Sequence, residues 1–429
     1  MESLPLRIGL IDVDLLSNGT RHPNLALMKI STYCMQFGEP KLIFSKEDLA
    51  QLDQYDCVIM SKVFTFSKNI IEIENIIEKT GKSLKQLNIC IVELMEKCIR
   101  KRPKHQKVAI GGTGFFSDGG RDLHPIIEHI MPDYQLYSTY VTKMIDGGRN
   151  RVYFNDYLDY SIGFATRGCF RKCDFCVNKK YDRCTFHAHI SEFVDDNRSG
   201  IYLWDDNIFA CKDWEVVFNE LKAIGKPFQF RQGLDIRLLS EKKAKIVAQS
   251  RYAGDVIFAF DHVDDYELIE RKLKLWRQYS KKPTKLYVLS AFDSWEYSSL
   301  NYHKIDPEKK HLLKINSLET QEQRDLLDIE GVFIRISLLM KYGCMPYIMR
   351  FEKYKDSKYR GVYTQLARWC NQPQFYKKMS FREFCEANQR YSKTEKICAS
   401  MVALLLLEKD APHIAEKYFD MKYEYMKIN

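Results

Sequence analysis

Three cysteines carry the sharpest chemical signal in the chain. The run Gly168-Cys169-Phe170-Arg171-Lys172-Cys173-Asp174-Phe175-Cys176 sets its thiols at C-x3-C-x2-C spacing, short enough for one loop to turn all three sulfurs toward one centre. Thiolates are soft ligands suited to zinc or to iron–sulfur clusters. Arg171, Lys172 and Asp174 interleave them, which does not suit three cysteines packed in a core. A structural zinc closes its tetrahedron with a fourth ligand, and Cys184 and His187 follow closely enough to serve. A four-iron cluster on three cysteines instead leaves one iron open, which is catalytic in character. The spacing favours the iron–sulfur centre, with Cys169, Cys173 and Cys176 as its ligands, and keeps zinc as the alternative.

Such a loop needs a strand to deliver it. Strand-like runs stand at 161–166, 200–204, 227–231, 256–260, 285–291 and 331–336, separated by helix-like stretches such as 214–224, 241–250 and 265–279. Six βα units over roughly 190 residues are too few for the eight-stranded barrel of about 250, so a partial, six-unit open barrel is expected over 155–350. Ahead of it, apolar runs at 6–12, 57–60 and 108–110 alternate with a helical pattern over 23–37. That is the pattern of a doubly wound, Rossmann-like domain, here 1–145, with ligands expected at the strands' carboxyl ends. Gly111-Gly112-Thr113-Gly114 reads as a tight turn and not as a G-x-G-x-x-G site. Residues 351–429 form a helical C-terminal region, with helical spacing over 363–369 and 394–408 and an apolar face that packs on the barrel.

Several barrel strands run into an aspartate, namely Asp205, Asp235, Asp261 and Asp293. In barrel enzymes these ends face the active site, although aspartate before a helix is also a favoured N-cap, a role that Asp261 and Asp293 fit best. Together they predict an acidic mouth that suits a cationic amine better than a phosphate-rich substrate. Arg231, Gln232 and His262 add donors able to read a heterocycle.

The cysteine loop, with Phe175 just before its last thiol and a strand before its first, resembles the signature loop of the radical S-adenosylmethionine (SAM) superfamily. The resemblance covers about 160–350 and implies a radical SAM (β/α)6 partial barrel. It implies a 4Fe-4S cluster whose open iron chelates the amino and carboxylate groups of SAM. Reductive cleavage then gives methionine and a 5′-deoxyadenosyl radical that abstracts a substrate hydrogen. It also assigns Phe175 to the adenine pocket and a flavodoxin or ferredoxin as electron donor. The first domain resembles the cobalamin-binding-type domain of many such enzymes, but the D-x-H-x-x-G pattern is replaced by Asp12-Val13-Asp14-Leu15-Leu16-Ser17, with no histidine before His22. Cobalamin is therefore not expected. The family's Gly-Gly-Glu is replaced by Trp204-Asp205-Asp206-Asn207, so Asp206 or Asn207 is expected to face the SAM amino group. Asp205, Arg231, Gln232, Asp235, Asp261 and His262 are expected to meet substrate. Among enzymes of this layout the queuine lyases, which release a 7-aminomethyl-7-deazaguanine base, fit best. The same chemistry on a nucleic acid or a peptide is the other reading.

Composition agrees with a globular enzyme of two or three domains: 429 residues, 45% hydrophobic and 29% charged. Thirteen scattered cysteines, an odd number, argue for reduced thiols and against a disulfide scaffold. No basic stretch followed by an apolar one opens the sequence, and the longest apolar run, 401–407, is far below the roughly 18–20 residues of a membrane span. A soluble cytoplasmic protein without membrane contact is expected. The net charge is +9, and the stretch from Lys341 onward holds 17 Lys+Arg against 10 Asp+Glu. A solvated helical surface accounts for that surplus more simply than a nucleic-acid site does.

Overall fold

The apolar run at the start of the chain becomes β1 (Leu6–Asp12), in which every residue but Arg7 is buried, as befits a strand covered on both faces. The computed structural model describes residues 5–176, 178, 180–297, 305–392 and 396–426. β1 lies between β2 (Gly38–Leu42) and β3 (Cys57–Ser61), with β4 (Lys107–Gly111) beyond β3, and all three pairings are parallel. One face of this sheet packs on Leu27, Met95, Tyr137 and Tyr157. The other face packs on Leu52, Ile73, Ile76 and Leu87. Sequence reading missed β2, because Gly38-Glu39-Pro40-Lys41-Leu42 lacks a strand-like pattern. Its proline and charges are tolerated on an edge strand whose alternate residues face outward.

The chain divides into two compact units, Met1–Asp206 with Cys211–Phe228, and Asn207–Ala210 with Gln229–Asn429. The first also contains β5 (Tyr160–Gly163), β6 (Thr166–Arg167), β7 (Thr185–Phe186) and β8 (Gly200–Leu203). β5 pairs parallel with β8, and β6 pairs antiparallel with β7. β9 (Phe228–Phe230) carries the chain from the first unit into the second. The second unit holds a parallel sheet of β10 (Val256–Ala259), β11 (Thr284–Ser290) and β12 (Met345–Arg350), with β11 central.

Two of the expected strands differ. The 161–166 run is broken into β5 and β6, because the Asp205 carboxylate takes the N–H groups of Ala165 and Thr166. The 331–336 run is helical, lying inside Gln321–Lys341. Its buried residues Ile329, Val332, Phe333, Ile336, Leu339 and Met340 recur at helical spacing, which a six-residue window cannot separate from a buried strand. The strand of that unit is β12, overlooked because Pro346 interrupts it, and here again the proline sits on an edge strand. The helix expected from 394 begins at Ala399 (Ala399–Asp410), and residues 393–395 lie outside the described residues. The C-terminal helices pack through Phe381 and Tyr418 against Phe333, with ring centroids 5.8 and 5.6 Å apart. Among the described residues no helix is long and apolar enough to cross a membrane.

At the carboxyl end of β1, Asp12 is buried and accepts from Leu15 N–H (3.2 Å) and the Tyr137 hydroxyl (2.8 Å). Burial pushes its carboxyl up to about 7 against the pull of the Tyr137 bond. A carboxyl raised on folding contributes stability that is complete below its unfolded value, near 4, and is lost as pH rises to the folded value near 7. Asp12→Asn should remove that dependence. Thermal melts should show the variant gaining on the parent by up to about 1.4 kcal/mol per pH unit between about pH 4 and 7, then running parallel to it.

Candidate metal centre

The cysteine loop starts from a residue that must be glycine. Gly168 has φ 93°, and a Cβ there would lie 2.4 Å from the Arg183 carbonyl oxygen. Its N–H donates to Asp206 Oδ2 at 2.7 Å. One residue back, the Asp205 carboxylate, fully buried, accepts from Thr166 N–H (2.6 Å), Thr166 Oγ1 (2.6 Å) and Ala165 N–H (3.2 Å). The Asp205-Asp206 pair that follows β8 thus grips the stretch between β5 and the first cysteine. Burial raises the Asp205 carboxyl to about 6, with the Thr166 and Ala165 donors opposing it. Gly163, two residues before Ala165, is also obligatory, since a Cβ there would meet the Phe193 ring at 2.4 Å.

Beyond Gly168, Cys169, Cys173 and Cys176 are all half-buried. Arg171 N–H points at Cys169 Sγ and Asn178 N–H at Cys176 Sγ, each at 3.4 Å, and a turn closes from Cys176 N–H to Cys173 O at 2.9 Å. Backbone donors aimed at cysteine sulfurs are a device by which proteins tune iron–sulfur clusters. Among the described residues no three His, Cys, Asp or Glu side chains stand arranged around one point as a metal site. The donor set nevertheless fits a cluster in its chemistry: three soft, accessible thiols on one loop with amides turned toward two of them. It fits zinc less well, because the two candidate fourth ligands are engaged elsewhere. Cys184 is buried, with its thiol pushed up to about 12. His187 Nε2 lies 2.9 Å from Glu128 Oε1.

Glu128 anchors a polar cluster that no spacing in the sequence announced. Its carboxylate meets Lys29 Nζ (2.9 Å), His187 and Arg167 (3.4 Å), and the Arg167 guanidinium lies 3.4 Å above the centre of the Phe164 ring. Burial would raise Glu128, but the His187 bond and the Lys29 and Arg167 charges outweigh it and hold the carboxyl near 2. Glu128 and its three partners come from four separate stretches of the sequence, so only the folded chain brings them together. Phe175 is half-buried on the loop.

The second unit holds the other expected residues. Asn207 Nδ2 donates to Asp235 Oδ2 (3.2 Å), and Asp235 also takes Arg237 Nε at 2.8 Å. Asp235 is the aspartate that caps a short helical turn, through Arg237 N–H. Asp261 and Asp293, the better caps on sequence grounds, make no such cap bond. His262 Nδ1 lies 3.2 Å from the buried Asp293 carboxylate, and burial raises the half-buried Asp261 to about 6. Arg231 is half-buried and donates to Gln229 Oε1 (3.0 Å), whereas Gln232 is exposed. The expected acidity is largely compensated. Arg237 pairs with Asp235, and Arg335, fully buried, donates to the Phe260, Asp261 and Leu289 carbonyls at the ends of β10 and β11.

No protein-family model matches the chain, and no curated protein matches it significantly. Among solved structures, the radical SAM methyltransferase TsrM from Kitasatospora setae, with cobalamin and a 4Fe-4S cluster bound, is 13% identical over 67% of this chain and 70% of that one, with a TM-score of 0.41. The same enzyme with tryptophan and a SAM analogue is 12% identical over 66% and 67%, at 0.40. The cobalamin-dependent SAM radical enzyme OxsB is 10% identical over 99% of this chain and 58% of that one, at 0.32.

If Asp205 sets the base of the loop, its loss should be felt in both fold and metal. Asp205→Ala strands three buried donors and should cost about 3 kcal/mol or more, read as a lowered melting temperature. Asp206→Asn should leave the melt within about 1 kcal/mol but lower the iron retained per chain after reconstitution.

Proposed function

We propose that this protein is a radical SAM enzyme in which Cys169, Cys173 and Cys176 hold a 4Fe-4S cluster. The observation that carries the reading is the loop itself: three accessible thiols at C-x3-C-x2-C spacing, released by a left-handed glycine at a strand end and gripped by the aspartate pair after the next parallel strand. With cluster and SAM bound, the chemistry supplied is reductive cleavage of the sulfonium and hydrogen-atom abstraction, with the electron coming from a flavodoxin- or ferredoxin-type donor. The chain's own part is positional. Asp205 and Gly168 fix where the loop departs, and Phe175 offers a ring for the adenine. Asp206 or Asn207 is assigned to the amino group, and 155–350 is read as the partial (β/α)6 barrel.

The residues do not fit a histidine-ligated cobalamin. Where D-x-H-x-x-G would follow β1, the Asp14 carboxylate accepts from Val63 N–H (2.6 Å) and Phe64 N–H (3.2 Å), and the first histidine, His22, contacts Asp156.

For the substrate, the reading is a small amine-bearing molecule held near Asp261 and His262, with queuine as the compound to try and the 7-aminomethyl-7-deazaguanine base as its product. Asp261 supplies a carboxylate for an ammonium group, and the Asp293 contact fixes the His262 ring. Anaerobic, cluster-reconstituted protein given SAM and dithionite should form 5′-deoxyadenosine, followed by mass spectrometry, and form more of it with queuine. Alanine at any one of Cys169, Cys173 or Cys176 should abolish both iron binding and this product, whereas Cys184→Ala should keep both. Full activity in Cys169→Ala would sink the assignment. His262→Gln should keep the cluster's absorption and lower only substrate-dependent turnover, by about 10-fold or more.

A further inference from the structure

The second unit's sheet presents opposite chemistry at its two ends. Asp261 and Asp293 follow the carboxyl ends of β10 and β11, whereas a groove of about 1160 Å³ opens at the amino ends, bordered by Asp255, Thr284 and Met345. We propose that this groove docks a polynucleotide through its phosphate backbone.

Four exposed cations line it, Arg271, Lys274, Lys281 and Lys377, and none of them makes an ion pair among the described residues. The remaining basic residues of the lining belong to the fold. Arg277 donates to the Tyr342, Ser280, Lys282 and Gly343 carbonyls, Lys282 to the Ser250 carbonyl, and Lys341 pairs with Glu270. Both acidic residues of the lining are already matched, Glu270 by Lys341 and Asp255 by Lys285 at 2.8 Å. Lys274 also acts on Glu270 one turn away, and with both acids already paired to other lysines the four exposed cations set the groove's field.

Their layout is a row and not a pocket for one anion. Arg271 and Lys274 stand on one face of the helix Tyr266–Tyr279, and Lys281 follows just past its end. From Arg271 to the end of the helix is about 12 Å at about 1.5 Å per residue, with Lys281 two residues beyond, long enough for more than one phosphate. The volume exceeds the roughly 300–1,000 Å³ of ordinary small-ligand sites. Tyr342 and Tyr423 share the lining and offer rings of the kind on which bases stack. A concave groove admits a strand more readily than the convex face of an acidic protein.

The test is fluorescence anisotropy of the full-length protein with a labelled single-stranded oligouridylate of about 16 nucleotides, across a salt series. Four phosphate contacts predict a log–log salt slope near −2.8 for a single strand, or about a 50-fold loss of affinity between about 50 and 200 mM salt. The variant Arg271→Ala/Lys274→Ala/Lys281→Ala/Lys377→Ala should bind at least about 10-fold more weakly at low salt, with a slope near zero. A control removing four exposed lysines of the first unit, Lys82→Ala/Lys85→Ala/Lys101→Ala/Lys104→Ala, should bind as the parent does. Circular dichroism melts of both variants should match the parent, and Lys274→Glu/Lys281→Glu repeats the test should the quadruple variant melt early. Equal weakening by groove and control variants would overturn the proposal, as would an absence of salt-sensitive binding. Binding of polyglutamate but not of oligouridylate would overturn it in favour of an acidic protein partner.

Discussion

Buried beneath the cysteine loop, the Asp205 carboxylate accepts three hydrogen bonds from two consecutive residues, Ala165 and Thr166. That stretch is where β5 would otherwise continue, and the side chain supplies the partner that a neighbouring strand would have given. The backbone is thereby turned out of the sheet three residues before Cys169. Asp206 completes the turn by holding Gly168 N–H. The position of all three thiols follows from a carboxylate pair that lies some thirty residues further along and touches none of them. Because Asp205 is held by hydrogen bonds within a buried site, removal of its donors or of the carboxylate leaves polar groups that water cannot reach.

The second unit solves a related problem with the opposite charge. Arg335, on the buried face of the helix Gln321–Lys341, caps the carbonyl ends of β10 and β11 through three backbone oxygens. Asp328, on the same helix, takes the N–H of Ala291 at 2.8 Å and the Tyr363 hydroxyl at 2.8 Å. Ala291 has φ 61°, a conformation costing roughly 1–2 kcal/mol for a residue with a Cβ, and the Asp328 contact is what holds it. The strand end thus turns sharply toward Asp293, whose carboxylate meets His262. Burial pushes the Asp328 carboxyl up to about 7, so a protonated carboxylic acid is a stable part of this corner below neutral pH. Of the aspartates that looked like an acidic mouth, Asp235 pairs with Arg237 and Asp261 gives its backbone carbonyl to Arg335.

What the sequence made legible was local. The cysteine spacing, the first parallel strands and the helices Trp214–Ile224 and Tyr266–Tyr279 each follow from residues within one turn or one strand of each other. The edge strands β2 and β12 escaped because proline and charge weaken the strand signal there, and only pairing with a neighbour rescues them. The helix at 331–336 was misread because a short apolar run lacks the length to show its period. Among the candidate site residues, burial was the hidden variable. Asp205 and Asp206 are adjacent and chemically identical, yet one is sealed in the interior and the other is half-exposed beside the loop. The Glu128 cluster was out of reach altogether, since Lys29, Glu128, Arg167 and His187 share no spacing rule.

Charge shows the same limit from the other side. The surplus after Lys341 drew attention to the last fifth of the chain, but three of the four exposed cations that line the groove lie at 271–281. Two of them stand on the helix Tyr266–Tyr279, behind Glu267 and Glu270, where a search for charge confined to the chain's last fifth does not look. A helix dipole explains some basic residues at the amino ends of parallel strands, because the preceding helices end there with their negative poles. That effect fades within the last turn and accounts for Arg277, at the end of one helix, and Lys341, at the end of another. Arg271 lies two turns earlier and Lys377 follows a different helix, Pro373–Tyr376. Lys377 caps that short helix, but Arg271 is not placed to offset a dipole, and both face the same groove. Arg271, at least, is in the groove for a reason other than the dipole, which is what the proposed polynucleotide site supplies.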